Sequence, residues 1–188
     1  MQQPARPVIA NTIAHTLLRV GVGGVLVAHG SQKLFGWFGG SGVEGTGQAM
    51  HAMGFRPGRR NAVLAGWGEA GAGAALILGL ATPAAGASAA TAMGVAAAVH
   101  APNGFFATEG GMEYPALLSL AATCTVIAGS GPASLDAATG HVFDKPWMRA
   151  VALGSIPVVA GIQILGRRKA LRADALRAQE QAAGNTES

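Results

Sequence analysis

The sequence predicts an all-α fold: a polytopic membrane four-helix bundle made of two tandem helical hairpins, with an additional C-terminal transmembrane helix. Three observations predict it. Half of the 188 residues are hydrophobic and only 12% are charged, where soluble domains carry about 25% charged residues. The apolar character rests largely on small side chains, with 29 glycines and abundant alanine, and small residues let helices approach closely in lipid. Finally, a hydrocarbon core about 30 Å thick needs about 17 to 25 apolar helical residues, and the stretches 14–36, 61–80, 83–101, 115–131 and 147–166 meet that length.

Taken in order, the first stretch could pass for a signal peptide, but it is long, contains Arg19 and His29, and lacks a clear small-x-small cleavage site. It reads as a retained helix. The second carries Glu69 among small residues in GWGEAGAGAA, and only a short connection around Thr82 and Pro83 separates it from the third. The third, AAGASAATAMGVAAAVH, is weakly hydrophobic and is expected to be wrapped by its neighbours. The fourth holds the single cysteine, Cys124, in LAATCTVIAG; one cysteine forms no intramolecular disulfide, and a thiol buried in lipid is expected to serve packing. The fifth contains Pro157, expected to kink the helix or to sit where neighbours satisfy the freed carbonyl. Between the first two stretches, GVEGTGQAMHAMGF spaces Val43, Met50 and Met53 near a helical repeat, which fits a short interfacial helix or an irregular loop equally well. The chain thus divides into a polar N-terminal segment (1–13), the bundle (14–140), a loop with the fifth helix (141–166) and a basic, then polar tail (167–188) that is helix-favouring until GNTES frays.

The formal charge is +4, yet the basic residues sit beside apolar segments, at Arg56, Arg59 and Arg60 and at Arg167, Arg168, Lys169, Arg172 and Arg177. That clustering fits the positive-inside bias and anionic lipid headgroups rather than nucleic acid. With five crossings, it favours an outside N-terminus and a cytoplasmic C-terminus.

VAHGSQKLFGWFGG and AVHAPNGFFATEGG share a frame offset by 71 residues: His29 with His100, Phe35 with Phe106, Gly39-Gly40 with Gly110-Gly111. A duplicated hairpin would be a parallel repeat about an axis along the membrane normal; coincidence among many glycines also stays open. Either way both histidines face one side of the membrane.

Polar groups in spanning helices cost about 2.5 to 3.5 kcal/mol at the centre, so they are site candidates. His29, Gln32 and Lys33 close the first helix, and Glu69 lies about a third of the way into the second from the same side. His100 and Asn103 close the third, and Glu109, Glu113 and Tyr114 precede the fourth. A buried Glu69 must be paired or protonated. The set reads either as a satisfied network that pins packing or as a pocket in which His29, Glu69, His100 and Glu113 exchange protons with a quinone or small thiol. A metal or haem site from the histidines is weaker, because two histidines so far apart lack the local spacing of a ligand motif, and no metal is expected. On the other side, Arg19 is expected to pair with Asp136 of GSGPASLD, unless it snorkels alone to the headgroups. No CxxC, P-loop or HExxH occurs, and no dinucleotide fingerprint is convincing, so no cofactor site is built in.

Read together, R-x-x-x-G in the first helix, HGSQKLFGWFGGSGVEGTG, GWGEAGAG, HAPNGFFATEGGMEYP and GPASLD closely resemble the DoxX family of small bacterial membrane proteins over about residues 14 to 140. The family's usual form is a four-helix bundle, so 147–166 looks like an addition. The family name attaches to a subunit of a thiosulfate:quinone oxidoreductase, and a DoxX protein is associated with a mycobacterial membrane complex handling thiol and superoxide stress. The resemblance therefore implies a membrane subunit linking thiol or sulfur-compound oxidation to the quinone pool or to oxidative-stress defence. It implies a bound quinone held by Gln32, Lys33, Asn103 and Tyr114, and soluble redox proteins or a second copy as partners. A non-catalytic scaffold and, third, a small-solute transporter are the competing readings; against transport, the polar residues gather at one side.

Overall fold

The computed structural model describes residues 6–186. Helices α1 (Arg6–Phe35), α2 (Gly42–Ala52), α3 (Gly58–Leu78), α4 (Thr82–His100), α5 (Glu113–Ala128), α6 (Leu135–Ala138) and α7 (Pro146–Thr186) account for most of them. Helix α1 packs along α3, α3 against α4, α4 against α5, and α5 returns to α1, which closes a four-helix ring. The two hairpins are α1 with α3 and α4 with α5. Helix α2 lies against the start of α3, and α7 lies outside the ring on α4 and α5.

Small residues set the closeness of the hairpins. A Cβ on Gly23 would come within 2.5 Å of the Gly73 carbonyl oxygen, and one on Gly30 within 2.6 Å of the Gly66 oxygen, so α1 and α3 touch backbone to backbone. In the second hairpin, a Cβ on Gly86 would meet Thr125 Oγ1 at 2.6 Å. The core joining the hairpins is Val22, Leu26, Leu76, Ala85, Ala89, Ala90, Met93 and Ala122. The larger side chains point outward: Leu17, Leu64, Leu117, Leu120, Val158 and Ile162 are all exposed. Small residues inside and large apolar residues outside are what a lipid solvent permits; the chain is an all-α, multi-pass membrane protein.

All five expected spans form helices. Ile9–Phe35, Thr82–Asn103 and Pro146–Asn185 are long and apolar enough to cross a membrane, whereas the apolar helix Glu113–Ala128 is shorter, about 24 Å at helical rise. Helix α3 reaches 21 residues but includes Arg59, Arg60 and Glu69, which lower its hydropathy. Half of the α4 window is buried, against 28% and 6% for the other two, so the weakly hydrophobic third stretch is indeed the wrapped one.

Several boundaries differ from expectation. Helix α1 starts at Arg6, because Pro7 suits a first turn and Ile9 and Ile13 extend the lipid-facing stripe; residues 1–5 of the polar segment lie outside the described residues. The ambiguous loop contains a helix, α2. Helix α7 runs unbroken for 41 residues through Pro157 and the basic tail to Thr186, because the tail is rich in Ala, Leu, Arg and Gln, all good helix formers; the last two residues of GNTES lie outside the described residues. Cys124 is exposed rather than buried, since it continues the outward stripe of Leu117, Leu120 and Ile127 at helical spacing. The two repeat corners agree at one demanding position: Gly39 and Gly110 both take φ of 76°. They differ at the aromatic, where Phe35 ends a helix and Phe106 is extended.

Candidate functional site

At the end of α1, the close approach to α3 carries Lys33 over Glu69. A Cβ on Gly66 would already lie 3.4 Å from Lys33 Cβ and 2.6 Å from Leu34 Cγ, so only glycine lets the lysine stem cross α3. Lys33 Nζ donates to Glu69 Oε2 at 2.5 Å, and Glu69 is buried at 5% exposure. Glu69 is therefore paired, and Lys33 also complements the negative end of the α1 dipole.

The other predicted residues separate into local contacts. His29 Nε2 lies 3.2 Å from the hydroxyl of Tyr114, joining α1 to α5. Gln32 Nε2 donates to the carbonyl of Phe38 at 3.2 Å and so braces a residue in the left-handed region, φ 53°. His100 Nδ1 lies 2.8 Å from the Gly110 carbonyl oxygen, which also accepts from Asn103 Nδ2 at 3.2 Å. Glu113 opens α5, where an acidic side chain favours the helix N-terminus.

A cleft of about 1020 Å³ runs between α3, α4 and α7. Of the predicted site residues Glu69, at its middle, and His100, at its mouth, line it; His29, Gln32, Lys33, Asn103, Glu113 and Tyr114 do not. Its walls are otherwise apolar, including Leu64, Val95, Val99, Val159 and Ile162, and its polar mouth holds Arg56, Asn61, Gln163 and Arg167. The guanidinium Nε of Arg167 is buried there without a hydrogen-bond partner. Just above, Arg56 forms a bidentate pair with Asp174, and Gly54 sits so close to α7 that a Cβ would meet Leu171 Cγ at 2.9 Å. Sequence reasoning missed the α7 wall, although Gln163 and Arg167 fall four apart on one helix face.

At the opposite membrane side Arg19 and Asp136 interact electrostatically, and each directs its hydrogen bonds to backbone. Arg19, 2% exposed, donates to the carbonyls of Leu76 at 3.1 Å and Ala133 at 2.6 Å. Asp136, wholly buried, accepts from the amides of Ala81 at 2.9 Å and Thr82 at 3.1 Å, capping the start of α4. The reason is Gly79, φ 65°, where a Cβ would fall 2.0 Å from Arg19 Nη1: the turn wraps the arginine, and free carbonyls at the α3 end accept its protons.

A second network there was not expected. Asp144 accepts from Arg149 Nε at 2.6 Å and Nη2 at 2.9 Å, and from the amide and hydroxyl of Ser130, each at 2.7 Å. Burial alone would raise the Asp144 carboxyl, but the hydrogen bonds from Arg149 and Ser130 hold it below the usual carboxylate range. Among the described residues, no cluster of three or more His, Cys, Asp or Glu side chains is arranged to hold a metal ion.

The helical hairpin that carries Lys33 over Glu69 and the helix that ends at His100 are one continuous unit. Residues 14–102 match the DoxX family. The DoxX match covers His29, Gln32, Lys33, Glu69 and His100, a little under half of the chain, and stops short of Asn103, Glu113, Tyr114 and Asp136. No curated protein and no solved structure matches the chain. One wall of the cleft, α3 and α4, therefore lies within the DoxX segment, while the other, α7, lies beyond it.

Proposed function

We propose that this protein is an integral membrane subunit of an oxidoreductase system that links oxidation of a thiol or sulfur compound to the quinone pool, with the cleft between α3, α4 and α7 receiving the quinone head. The observation that carries the reading is the placement of two protonatable groups, Glu69 and His100, on one lipid-scale apolar cleft. A pocket of this size, mostly apolar with a few convergent polar groups, is the usual form of a small-molecule site. Quinone reduction takes up an electron pair and a pair of protons. The thiol or sulfur compound, held by a soluble partner, is oxidised and supplies the electron pair, while His100 and Glu69 pass the protons. Lys33 holds the Glu69 carboxylate in place by its direct hydrogen bond. His29 with Tyr114, Gln32 on the Phe38 carbonyl, Asn103 on the Gly110 carbonyl, and Glu113 then position the helix ends around the site rather than touching the quinone.

The mouth faces the end of the bundle that carries Arg59, Arg60, Arg168, Lys169 and Arg172, and the positive-inside rule supports a cytoplasmic position for it. Purification in mild detergent with native lipids, followed by mass spectrometry of the extract and an optical spectrum, tests the reading. Ubiquinone or menaquinone bound to the native chain and lost on Glu69→Gln or His100→Ala supports it; a Soret band, or no quinone in the native preparation, overturns it.

The helical extension of α7 favours one second reading, a scaffold. Its exposed basic face, with Arg168, Lys169 and Arg172, offers acidic soluble redox enzymes a docking helix. On that reading, truncation after Gly166 abolishes co-purification of partners while Glu69→Gln leaves it intact.

A further inference from the structure

The cleft is more informative in its length than in its volume. Along α4 its lining runs from Pro83 to His100, about 26 Å at helical rise, which is nearly the full hydrocarbon thickness of about 30 Å. Along α7 it runs from Trp147 to Ala170. The cationic and amide groups occupy only one end, at Arg56, Asn61, Gln163 and Arg167 with His100, while Glu69 lies halfway along α3, its carboxylate taken by Lys33; the far end is Pro83, Ala84, Phe143, Trp147 and Met148. A phospholipid acyl chain reaches through one leaflet, about 15 Å, so filling the groove with phospholipid would take two molecules with heads at opposite ends. The groove offers a polar mouth at one end only.

We infer that the groove selects a single amphiphile with a long isoprenoid tail that crosses the bilayer midplane, its head at the Arg167 mouth and its tail lying along α4 against α7. The inference rests on the quinone reading and narrows it to long-tailed quinones. Ala84 and Ser88, one turn apart, are exposed and line the groove, so they form the floor under the distal tail. Arg167 is a binding residue: its buried, unpartnered Nε donates to an oxygen of the head. The tail gains no hydrophobic transfer energy, because bulk lipid is equally apolar, so the selectivity comes from van der Waals fit alone and is modest.

The test uses the full chain in nanodiscs titrated with decylubiquinone, whose tail stays within one leaflet, and with a natural long-tailed ubiquinone. The long tail is expected to bind about fivefold or more tighter. Ser88→Leu and Ala84→Leu, which fill the groove without entering the core, are expected to weaken the long-tailed quinone to the level of the short one and to leave decylubiquinone unchanged. Arg167→Gln weakens both equally. Equal affinities for the two quinones, or equal loss of both in Ser88→Leu, overturns the tail assignment while the quinone reading stands. Failure of either quinone to bind the native chain overturns that reading as well.

Discussion

Asp144 has its carboxylate fully inside the protein and still held in the charged form, by Arg149 and Ser130. Because its folded pKa lies below the unfolded value, its contribution is fully present above that unfolded value, about 3.9, and is lost as pH falls through the folded pKa. Thermal unfolding in detergent is therefore expected to show a drop in Tm below about pH 4 that Asp144→Asn lacks. At pH 7 the same substitution leaves Arg149 facing a neutral amide and costs about 2 to 4 kcal/mol. An Asp144→Asn protein whose Tm at pH 7 equals that of the native chain would remove the network from the account of this end of the bundle. Lys33 and Glu69 support a second test. Glu69→Gln and Lys33→Met each leave one partner at a buried position, whereas the double substitution removes both charges. The double variant is expected to be more stable than Lys33→Met, which strands Glu69, by about 1 to 3 kcal/mol in the same measurement; strict additivity would mean the pair contributes nothing. Glu69 was legible in the sequence as a buried carboxylate needing a partner, because an acid among small residues in a span leaves few alternatives. Asp144 was not, because HVFDKP has no periodicity that would set it apart from any polar turn.

At the level of elements, helix-to-helix distance is set by glycines whose partners are backbone atoms. Gly23 faces the Gly73 carbonyl oxygen, and Gly73 faces that of Gly23, each at 2.5 Å from a would-be Cβ, whereas Gly21 on the same helix has nothing within 4 Å. Gly23→Leu is expected to force α1 from α3 at a cost of about 1 to 3 kcal/mol, read as a Tm lower by several degrees as Lys33 leaves Glu69. Gly21→Leu, facing lipid, should match the native chain; equal behaviour of the two variants would rule out backbone contact as what holds this hairpin. The hairpins were legible because apolar length and short connections encode them directly. Which glycine faces a neighbour was not, since glycine carries no side chain whose periodicity could mark a face. The same blindness explains Cys124: in a helix flanked on all sides by apolar residues, the burial of a small apolar side chain has no sequence signature. Helix α7 was underestimated for a different reason, as its polarity changes at Arg167 while its helix propensity does not.

For the molecule as a whole, apolar surface is distributed as lipid demands, and the charges decide which way it faces. All five helices of the span set place the ends of α1 and α4, the starts of α3 and α5, and the basic extension of α7 on one side, with α6 and the Asp144 loop on the other. The side that carries Arg59, Arg60, Arg168, Lys169 and Arg172 is expected to be cytoplasmic, worth about 1 kcal/mol for each basic residue near an anionic surface. This is decidable in a Cys124→Ala background, with Ser41→Cys reporting the α1–α2 turn and Thr139→Cys reporting the end of α6. A membrane-impermeant maleimide applied to intact cells should label Thr139→Cys and reach Ser41→Cys only after permeabilisation. The reverse pattern would put the cleft mouth, with Arg167 and His100, on the outer face; protons for the bound quinone would then be drawn from outside, and the soluble donor would have to dock there. Labelling of both positions from outside would mean that an even number of crossings separates them instead of three, and that α3 or α5, the two helices that fall short in length or hydropathy, does not span.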